Sequence, residues 1–514
     1  MNPTPNARIW FIGLFVALAA LSWSLFSDFT APWTDQIDAN GACWSQSAHN
    51  TLRVGLLATA GVPSAFYFGT PPIPPDGYYT HHPPLLSLMI TGMFSLFGEK
   101  EWVARLLPIT FSLLSVVLLW LLVQDCVNAR AAAFCVLAFA AMPMELRYGR
   151  MVNFEPINLA WLLGGLLGLH FWQKAGRRRW RLLACAALVL SLWTAWQGYM
   201  FVLVLCTHFL FCSQRRDLRL ALLLLGISVA SLLLFLLEVH HVRPGAWRDM
   251  FGALNYRMAH SGHPVPWRDW AVRMRDLLMV HIQPAFWVLG LVGTLTIWRS
   301  RENAPLRWLG WAASCFFVMN LFYVVAFRNA SSIHDYASFY FTLPVAIMAG
   351  VGLDAVNRWC ERRGGGVLIV GMACSFVVLG ALLLAGARQT LDLRRPFSIL
   401  SSDQPEPPEL IPELGRTIRV SFGSEDVAVI CNFLPVYGPQ LHYYAQHELL
   451  ACAFTSGEWK ELIADPENAP LGGVIWMGDA HAEEVLASLP PGAQQRVTIR
   501  NIPFCFWRPK GGGG

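Results

Sequence analysis

Charged residues are scarce in this chain of 514 residues, which excludes an ordinary soluble domain. They make up 14% of the sequence, whereas a typical soluble globular protein carries about 25%. Hydrophobic residues reach 55%, and apolar runs long enough to cross a bilayer recur between residues 9 and 388. The composition therefore predicts an all-α polytopic membrane protein in contact with membrane lipids. The net charge of +5 is small and scattered, so no nucleic-acid partner is expected.

Three other features are scarce or not evident in the sequence. Lysine is rare, and neither a zinc-binding motif nor a clear signal-peptide cleavage site is seen. Only four residues are lysine, and the resulting bias towards arginine fits either phosphate binding or a high GC coding content. The spacing of the 12 cysteines does not match a zinc site. No small-residue cleavage site cleanly follows residues 9–27, so this first apolar segment is expected to remain as a signal anchor.

The arginine-rich loops orient the predicted helices, because positive residues in short loops stay on the cytoplasmic side. A basic cluster at 174–181 and several arginines after residue 212 flank the apolar run 182–212. Both ends of this run are therefore expected inside, as a hairpin of two short helices broken near Trp196. Applied along the chain, the rule predicts about eleven transmembrane helices, with the N-terminus in the cytoplasm and the tail outside.

Two long connections fall on the outer side of this topology. Residues 28–101 form the first, within a transmembrane domain that covers residues 1–390. The second, residues 238–280, carries six arginines and four histidines. It is typical either of an amphipathic helix on the membrane surface or of a basic cradle for a lipid phosphate or an anionic acceptor.

The tail differs in composition from the rest of the chain. A Pro-rich linker, residues 391–412, precedes a region predicted to be a small extracytoplasmic α/β domain at 413–510. Outside the cytoplasm, one pair among Cys431, Cys452 and Cys505 could form a disulfide. The predicted strands are 419–422, 427–430, 474–477 and 497–500, with helices at 456–464 and 480–488.

The first outer loop contains a pair of carboxylates that could act as a base. Asp35 and Asp38 precede Asn40-Gly41, and a helix-like run follows at 42–53. A carboxylate in such a loop can take a proton from an acceptor hydroxyl. The alternative is structural: Asp38 or Asn40 would only cap the helix.

The same loop ends in Tyr78 and Tyr79, followed by His81-His82-Pro83-Pro84. Proline biases the preceding residue towards extended geometry, which keeps the imidazoles out of a helix. Neutral imidazoles can bind a divalent metal, and protonated ones can bind phosphate. A polar turn at the membrane surface is the alternative for the histidines, and tyrosine is common at membrane interfaces.

Two further polar clusters lie on the predicted outer side. Arg150 and Glu155 belong to a turn at the membrane boundary, where an ionisable group is costly and usually faces a cavity. Glu155-Pro156 is equally typical of a helix start. His334, Asp335 and Tyr336 occupy a short outer loop, which could also be a capped helix start.

These clusters share one predicted face, and that shared position favours an enzyme. Transfer of a sugar from a lipid carrier needs a base, cations for the leaving phosphate and a cavity between helices for the lipid. A transporter would more often carry its ionisable residues near the bilayer midplane. The alternative is a flippase that binds a lipid-linked sugar through its polyprenyl phosphate without catalysis.

Over residues 8–390, the chain resembles the bacterial protein-mannosyltransferase-like and aminoarabinose-transferase-like membrane glycosyltransferases. These belong to the C-type glycosyltransferase superfamily. The resemblance implies a polyprenyl-phosphate-linked sugar donor and a single inverting displacement at the outer face of the bacterial inner membrane, with a periplasmic C-terminal domain. The acceptor would be a glycan, a lipid or a protein. The stretches that carry the resemblance are 38–50, 78–86, 101–108, 148–156 and 334–336.

The resemblance also implies roles for individual residues, with two departures from the family pattern. Relatives usually show an acidic pair in the first outer loop, whereas this chain has Asp35 and Asp38. Asp38 is favoured as the base because it is nearest the Asn-Gly turn. Relatives often have Glu-Lys before Pro-Pro, where this chain has His81-His82.

Without that lysine, the donor phosphate is expected to bind histidines and arginines instead. A divalent metal at His81 and His82 is the other arrangement expected there. Glu155 is expected to contribute to catalysis. The expected phosphate ligands are His81, His82, Arg150, Arg257, His334 and Tyr336, and the expected substrate contacts are Asn40, Tyr78 and Tyr79.

Overall fold

The computed structural model describes most of the chain and is mainly helical. The described residues are 5–69, 71–212, 217–300, 302–393, 409–423, 428–431, 438–451, 471–478, 489 and 491–509. The helices are α1 (Pro5–Leu25), α2 (Asp38–Val54), α3 (Leu56–Thr59), α4 (Leu85–Phe97), α5 (Glu101–Cys126), α6 (Ala129–Ala141), α7 (Pro143–Tyr148), α8 (Phe154–Ala175), α9 (Arg178–Thr194), α10 (Trp196–Thr207), α11 (Leu218–Val242), α12 (Trp247–Arg257), α13 (Trp267–His281), α14 (Pro284–Arg299), α15 (Ala304–Ala326), α16 (Arg328–Ile333), α17 (Thr342–Arg363), α18 (Gly365–Leu393), α19 (Leu410–Phe422) and α20 (Gly438–Ala445). The strands are β1 (Ala428–Cys431), β2 (Glu448–Ala451), β3 (Leu471–Met477), β4 (Gly492–Ile499) and β5 (Ile502–Pro509).

The chain forms two compact units. The first comprises Met1–Phe29, Thr80–Leu86 and Arg105–Leu393. The second comprises Thr30–Tyr79, Ser87–Ala104 and Arg394–Gly514. The first outer loop and the tail, which are distant in sequence, therefore contribute to the same unit.

Five helical segments among the described residues are long and apolar enough to cross a membrane, and a bent helix pair would make a sixth. The prediction of about eleven spans is therefore not confirmed. Some of the expected spans contain only shorter apolar helices of 10–17 residues. Pro143, for example, ends α6 at Ala141, since the residue before a proline is driven to extended geometry. The five segments are Glu101–Cys126, Leu218–Val242, Ala304–Ala326, Asp335–Arg363 and Gly366–Leu391.

Two features of the first unit follow directly from its sequence. The apolar run 182–212 is divided at Ala195, whose backbone is extended, so the break expected near Trp196 is present. Helices α14 and α17 pack closely through glycines. A Cβ at Gly293 would lie 1.8 Å from the Met348 carbonyl oxygen, and one at Gly352 would lie 2.5 Å from the Leu289 carbonyl oxygen. Small residues allow this approach between helices in a membrane.

The C-terminal part of the second unit contains a mixed sheet in the order β2-β1-β3-β5-β4. Strand β1 pairs in parallel with β2 and β3, whereas β5 pairs antiparallel with β3 and β4. Arg500 and Asn501 turn the chain between β4 and β5 with positive φ values of 50° and 66°, as a two-residue hairpin requires. Strands β1, β3 and β4 overlap three of the four predicted strands.

The fourth predicted strand, 419–422, is wrong, because these residues end α19. Leu414, Ile418 and Phe422 recur every four residues and bury one face of that helix in the domain core. The helices predicted at 456–464 and 480–488 lie outside the described residues. Cys431 and Cys505 do not form a disulfide with each other, and Cys452 lies outside the described residues.

Candidate active site

The two aspartates lie in a short loop that leads into α2, residues 33–38, called the carboxylate loop below. Asp38 belongs to the first turn of the helix, and its Oδ2 accepts the backbone amides of Thr34 (3.1 Å) and Asp35 (2.9 Å). The N-cap is Ile37, which makes no side-chain cap. Asp38 therefore folds back on the loop instead of capping the helix. Asp35 Oδ1 accepts the amide of Gln36 at 2.5 Å, and both aspartates are buried.

Packing against Trp33 explains why a glycine follows Asn40. A Cβ at Gly41 would lie 2.5 Å from the ring of Trp33, so only glycine permits the indole to close over the first turn of α2. Trp33 is fully buried at the start of the carboxylate loop. Gly41 thereby lets the loop pack tightly on the helix that follows it.

The two tyrosines at the end of the first outer loop are held by packing. The Tyr79 amide donates to the Pro63 carbonyl at 2.6 Å. The Tyr79 ring meets the Trp44 and Phe66 rings edge to face, at 5.8 and 5.5 Å between centroids. Tyr78 is buried, and this burial raises the pKa of its hydroxyl. Their expected role as substrate contacts stays a prediction.

In the first unit, the predicted phosphate ligands come from three separated segments and form a group, called the phosphate cluster below: His81, His82, Arg257, His334 and Tyr336. The Arg257 guanidinium lies 3.4 Å from His82 Nε2. The Tyr336 hydroxyl lies 3.1 Å from His334 Nδ1, and the two rings stack. His81 and His334 both lower the pKa of His82 electrostatically.

The imidazoles of this cluster are held in their neutral form. Burial lowers the pKa of His82 well below its usual value, and Arg257, His81 and His334 lower it further. Burial and Arg257 lower the pKa of His334 to about 4. Burial also lowers the pKa of His81, with Arg257 and Arg243 acting in the same direction and Asp249 opposing them. The phosphate cluster thus combines a guanidinium with neutral imidazoles that an arriving anion would help to protonate.

The basic outer loop reaches this cluster because it is attached to α16. Asn329 Oδ1 accepts the Val265 amide at 3.0 Å, and its Nδ2 donates to the Tyr256 carbonyl at 2.8 Å. Trp270 Nε1 donates to Ser331 Oγ at 2.9 Å. Tyr256, whose carbonyl accepts the bond from Asn329, directly precedes Arg257 in the sequence. The loop therefore contains two helices, α12 and α13, that are attached to α16. The membrane-surface helix and the phosphate cradle both stay predictions.

Glu155 and Arg150 have different surroundings. Glu155 lies in the first turn of α8 and is buried, and its Oε2 has no hydrogen-bond partner among the described residues. Its neighbour Phe154 stacks on His82, with ring centroids 4.4 Å apart. Arg150 is also buried, and its Nη1 donates to the Ser27 carbonyl. The structure thus places Glu155 next to a contact of the cluster and engages Arg150 with the segment after α1.

Comparison with known proteins gives this arrangement a context. Residues 81–239, which begin at the histidine pair and include Glu155, match the model of the dolichyl-phosphate-mannose-protein mannosyltransferase family. ArnT from Cupriavidus metallidurans, in its complex with undecaprenyl phosphate, aligns with a TM-score of 0.64 and 17% identity over 99% of this chain and 100% of that one. The chain has the C-type glycosyltransferase fold. No curated protein matches it.

Two archaeal structures show the same C-type glycosyltransferase fold. The oligosaccharyltransferase of Archaeoglobus fulgidus in the apo form aligns with a TM-score of 0.60 and 12% identity, over 92% of this chain and 70% of that one. AglB from the same organism, in complex with an inhibitory peptide and a dolichol phosphate, aligns with a TM-score of 0.58 and 12% identity, over 91% and 69% of the two chains. The resemblance seen in the sequence is confirmed at the level of fold and family model.

The predicted metal at His81 and His82 does not fit the residues present. The described part of the chain contains no group of three or more histidine, cysteine, aspartate or glutamate side chains arranged to hold a metal ion. His82 Nε2 instead faces the Arg257 guanidinium, a fixed cation. We therefore derive no step through a metal in this C-type glycosyltransferase fold.

Sequence reasoning missed three residues that organise the phosphate cluster. Trp196 Nε1 donates to the His81 carbonyl at 2.7 Å, although the sequence pointed to Trp196 only as a helix break. Phe154 stacks on His82, and Asn329 holds the basic loop. The polar run 328–332 before the predicted His334 cluster was the available signal for Asn329. No local pattern marks the other two residues.

Proposed function

We propose that this chain is a glycosyltransferase of the bacterial inner membrane. It moves a sugar from a polyprenyl-phosphate-linked donor to a hydroxyl of an envelope glycan, lipid or protein at the outer face, with inversion. The observation that carries the proposal is the phosphate cluster, a group of guanidinium, histidine and tyrosine side chains in a fold shared with ArnT. The ArnT and AglB structures contain undecaprenyl phosphate and a dolichol phosphate.

In the proposed reaction, an aspartate of the carboxylate loop, Asp38 or otherwise Asp35, accepts the proton of the acceptor hydroxyl. The oxygen of that hydroxyl forms a bond to the anomeric carbon as the bond between that carbon and the phosphate oxygen breaks. The electron pair leaves with the polyprenyl phosphate. Arg257 stabilises the growing negative charge, and the imidazoles that become protonated with the bound anion assist it.

The remaining site residues bind the donor or the acceptor. Glu155 Oε2, which lacks a partner among the described residues, accepts a hydrogen bond from a sugar hydroxyl. The Tyr336 hydroxyl donates to a phosphate oxygen. Asn40, Tyr78 and Tyr79 contact the substrate, and the C-terminal domain lies in the periplasm.

Donor binding tests the phosphate cluster. Arg257→Gln removes its guanidinium and is expected to weaken binding of polyprenyl phosphate by roughly 10-fold or more, since a charge-assisted bond to phosphate is lost. Arg248→Gln is the matched control, because Arg248 is an exposed arginine on the same helix and contacts the Trp247 ring. Equal affinities of the two variants, measured by quenching of tryptophan fluorescence, would show that the cluster does not bind the phosphate.

A further inference from the structure

Helix α20 of the C-terminal domain lies directly against the carboxylate loop, within the second unit. The Tyr444 hydroxyl accepts the backbone amide of Trp33 at 2.8 Å and donates to Glu101 Oε1 at 2.7 Å. Gln440, which is fully buried, donates from Nε2 to the backbone carbonyl of Asp35 at 3.2 Å. Two residues one helical turn apart thus bond the first half of the loop, at Trp33 and Asp35.

The same helix is anchored on its other side. Leu441 and Ala445 belong to the core that α19 and the strands form. Residues four apart lie on one face of a helix, so Gln440 and Tyr444 make a polar face towards the loop while Leu441 and Ala445 make an apolar face towards the sheet. Helix α20 therefore links the sheet to the carboxylate loop.

Contacts near the end of α20 extend this attachment to α2 and the segment after it. Gln446 and Gln46 exchange hydrogen bonds through their amide groups, the shorter at 2.9 Å. The His442 ring meets the Phe68 ring edge to face at 4.8 Å. The helix thus contacts both the carboxylate loop and the structure that supports it.

The Tyr444 hydroxyl is suited to this position. Burial and the Glu101 carboxylate raise the pKa of Tyr444 far above its usual value, so the hydroxyl keeps its proton. The hydroxyl donates a hydrogen bond to Glu101 and accepts one from the Trp33 amide. Loss of the hydroxyl would remove both hydrogen bonds. A Trp33 amide without the Tyr444 hydroxyl would favour a different conformation of the carboxylate loop, in which the amide finds another acceptor.

We propose that Tyr444 and Gln440 are positioning residues that hold the carboxylate loop in the conformation required for catalysis by its aspartates. The catalytic consequence rests on the proposed glycosyltransferase function. The C-terminal domain would then be part of the catalytic apparatus through α20.

The test uses the full chain in detergent and three variants. Tyr444→Phe removes the hydroxyl, and Gln440→Met removes the amide while keeping the side-chain volume. Tyr443→Phe is the matched control, since the described residues give its hydroxyl no hydrogen bond. Hydrogen exchange of the amides 33–38 is expected to accelerate about 10-fold in the first two variants only, because a bonded amide or carbonyl is released.

Sugar transfer from a polyprenyl-phosphate donor supplies the second measurement. Tyr444→Phe and Gln440→Met are expected to lower kcat by roughly 10-fold with an unchanged donor KM, because the base is misplaced while the phosphate cluster is untouched. A merely structural role would lower the amount of folded protein and leave kcat per folded molecule unchanged. Gln440→Met alone decides the question if Tyr444→Phe does not fold.

The possible failures can be told apart. Exchange rates in Tyr444→Phe and Gln440→Met that equal those in Tyr443→Phe would overturn the positioning role. Faster exchange with unchanged kcat would also overturn it. Absence of transfer by the wild-type protein would contradict the proposed function instead, and the exchange measurement would still show whether α20 holds the loop.

Discussion

The histidine pair before Pro83 gives the phosphate cluster its particular chemistry. Burial and Arg257 keep His82 and His334 neutral before a ligand arrives. A bound phosphate is an opposite charge, which raises the pKa of a nearby imidazole. The pKa of the bound state is then higher than that of the free state, so donor binding takes up protons. Affinity should therefore rise as pH falls from the usual histidine value towards the depressed one.

A single substitution tests this proton uptake. His82→Gln replaces a titratable ring by a neutral amide, so we expect weaker donor binding at pH 5.5 and nearly unchanged binding at pH 8. A sugar phosphodiester donor keeps its charge across this range. His263→Gln, at an exposed loop position, is the control and should retain the pH dependence of the wild type. Identical pH profiles of His82→Gln and wild type, measured as donor affinity, would contradict proton uptake at His82.

At the scale of elements, the basic loop depends on one asparagine. Asn329→Ala removes two hydrogen bonds to residues 256 and 265, so α12 should detach from α16 and Arg257 should lose its position. We expect the donor KM to rise at least 5-fold, in line with the loss of about 1 kcal/mol per bond. Asn303→Ala is the control, because Asn303 caps α15. It should lower the melting temperature but leave donor KM unchanged.

The first turn of α2 allows a second test at this scale. Gly41→Ala places a methyl group against the Trp33 ring, so overpacking is expected to cost about 1–3 kcal/mol and to disturb the carboxylate loop. Gly92→Ala, in α4 of the same unit, is the control because a Cβ there has open space. A melting temperature lowered only in Gly41→Ala, together with reduced transfer, is the expected result. Equal behaviour of the two variants would contradict the packing argument.

Local patterns predicted individual elements well and their assembly poorly. The start of α8 near Glu155-Pro156 and the break near Trp196 follow from nearest-neighbour preferences that can be read directly from the chain. The sequence predicts a strand at 419–422 because the β-prone Val420 and Phe422 alternate with polar residues, whereas the helical repeat extends back to Leu410. Tyr444 and Trp33 are 411 positions apart, and no local pattern indicates such a bond.

In the candidate site, too, the residues marked by local sequence patterns could be predicted and those that act through tertiary contacts could not. His81, His82 and His334 could be chosen because proline and clustered polarity are local signals, and the structure brings them together with Arg257. Trp196 and Phe154 act through a hydrogen bond and a ring contact that depend on tertiary packing. Apolar and aromatic residues in a membrane protein give no sign of such roles in the sequence.

At the scale of the whole molecule, the fold, the family match and the packing of the carboxylate loop favour the proposed enzyme over a carrier. A flippase would need the cluster only for binding, whereas a transferase also needs the carboxylate loop. That loop is tightly packed: Trp33 lies against Gly41 of α2, and Tyr444 and Gln440 of α20 form hydrogen bonds with the loop. The proposed positioning role of α20 would make the C-terminal domain a participant in the proposed reaction.

The most direct test is the release of free polyprenyl phosphate from a polyprenyl-phosphate-linked sugar by the purified protein with an envelope extract as acceptor. Mass spectrometry should detect release by the wild type. Asp38→Asn, or Asp35→Asn if Asp35 is the base, should bind the donor with unchanged affinity and lose at least 100-fold in release, since general-base catalysis contributes about that much. No release by the wild type, or full release by both aspartate variants, would contradict the account.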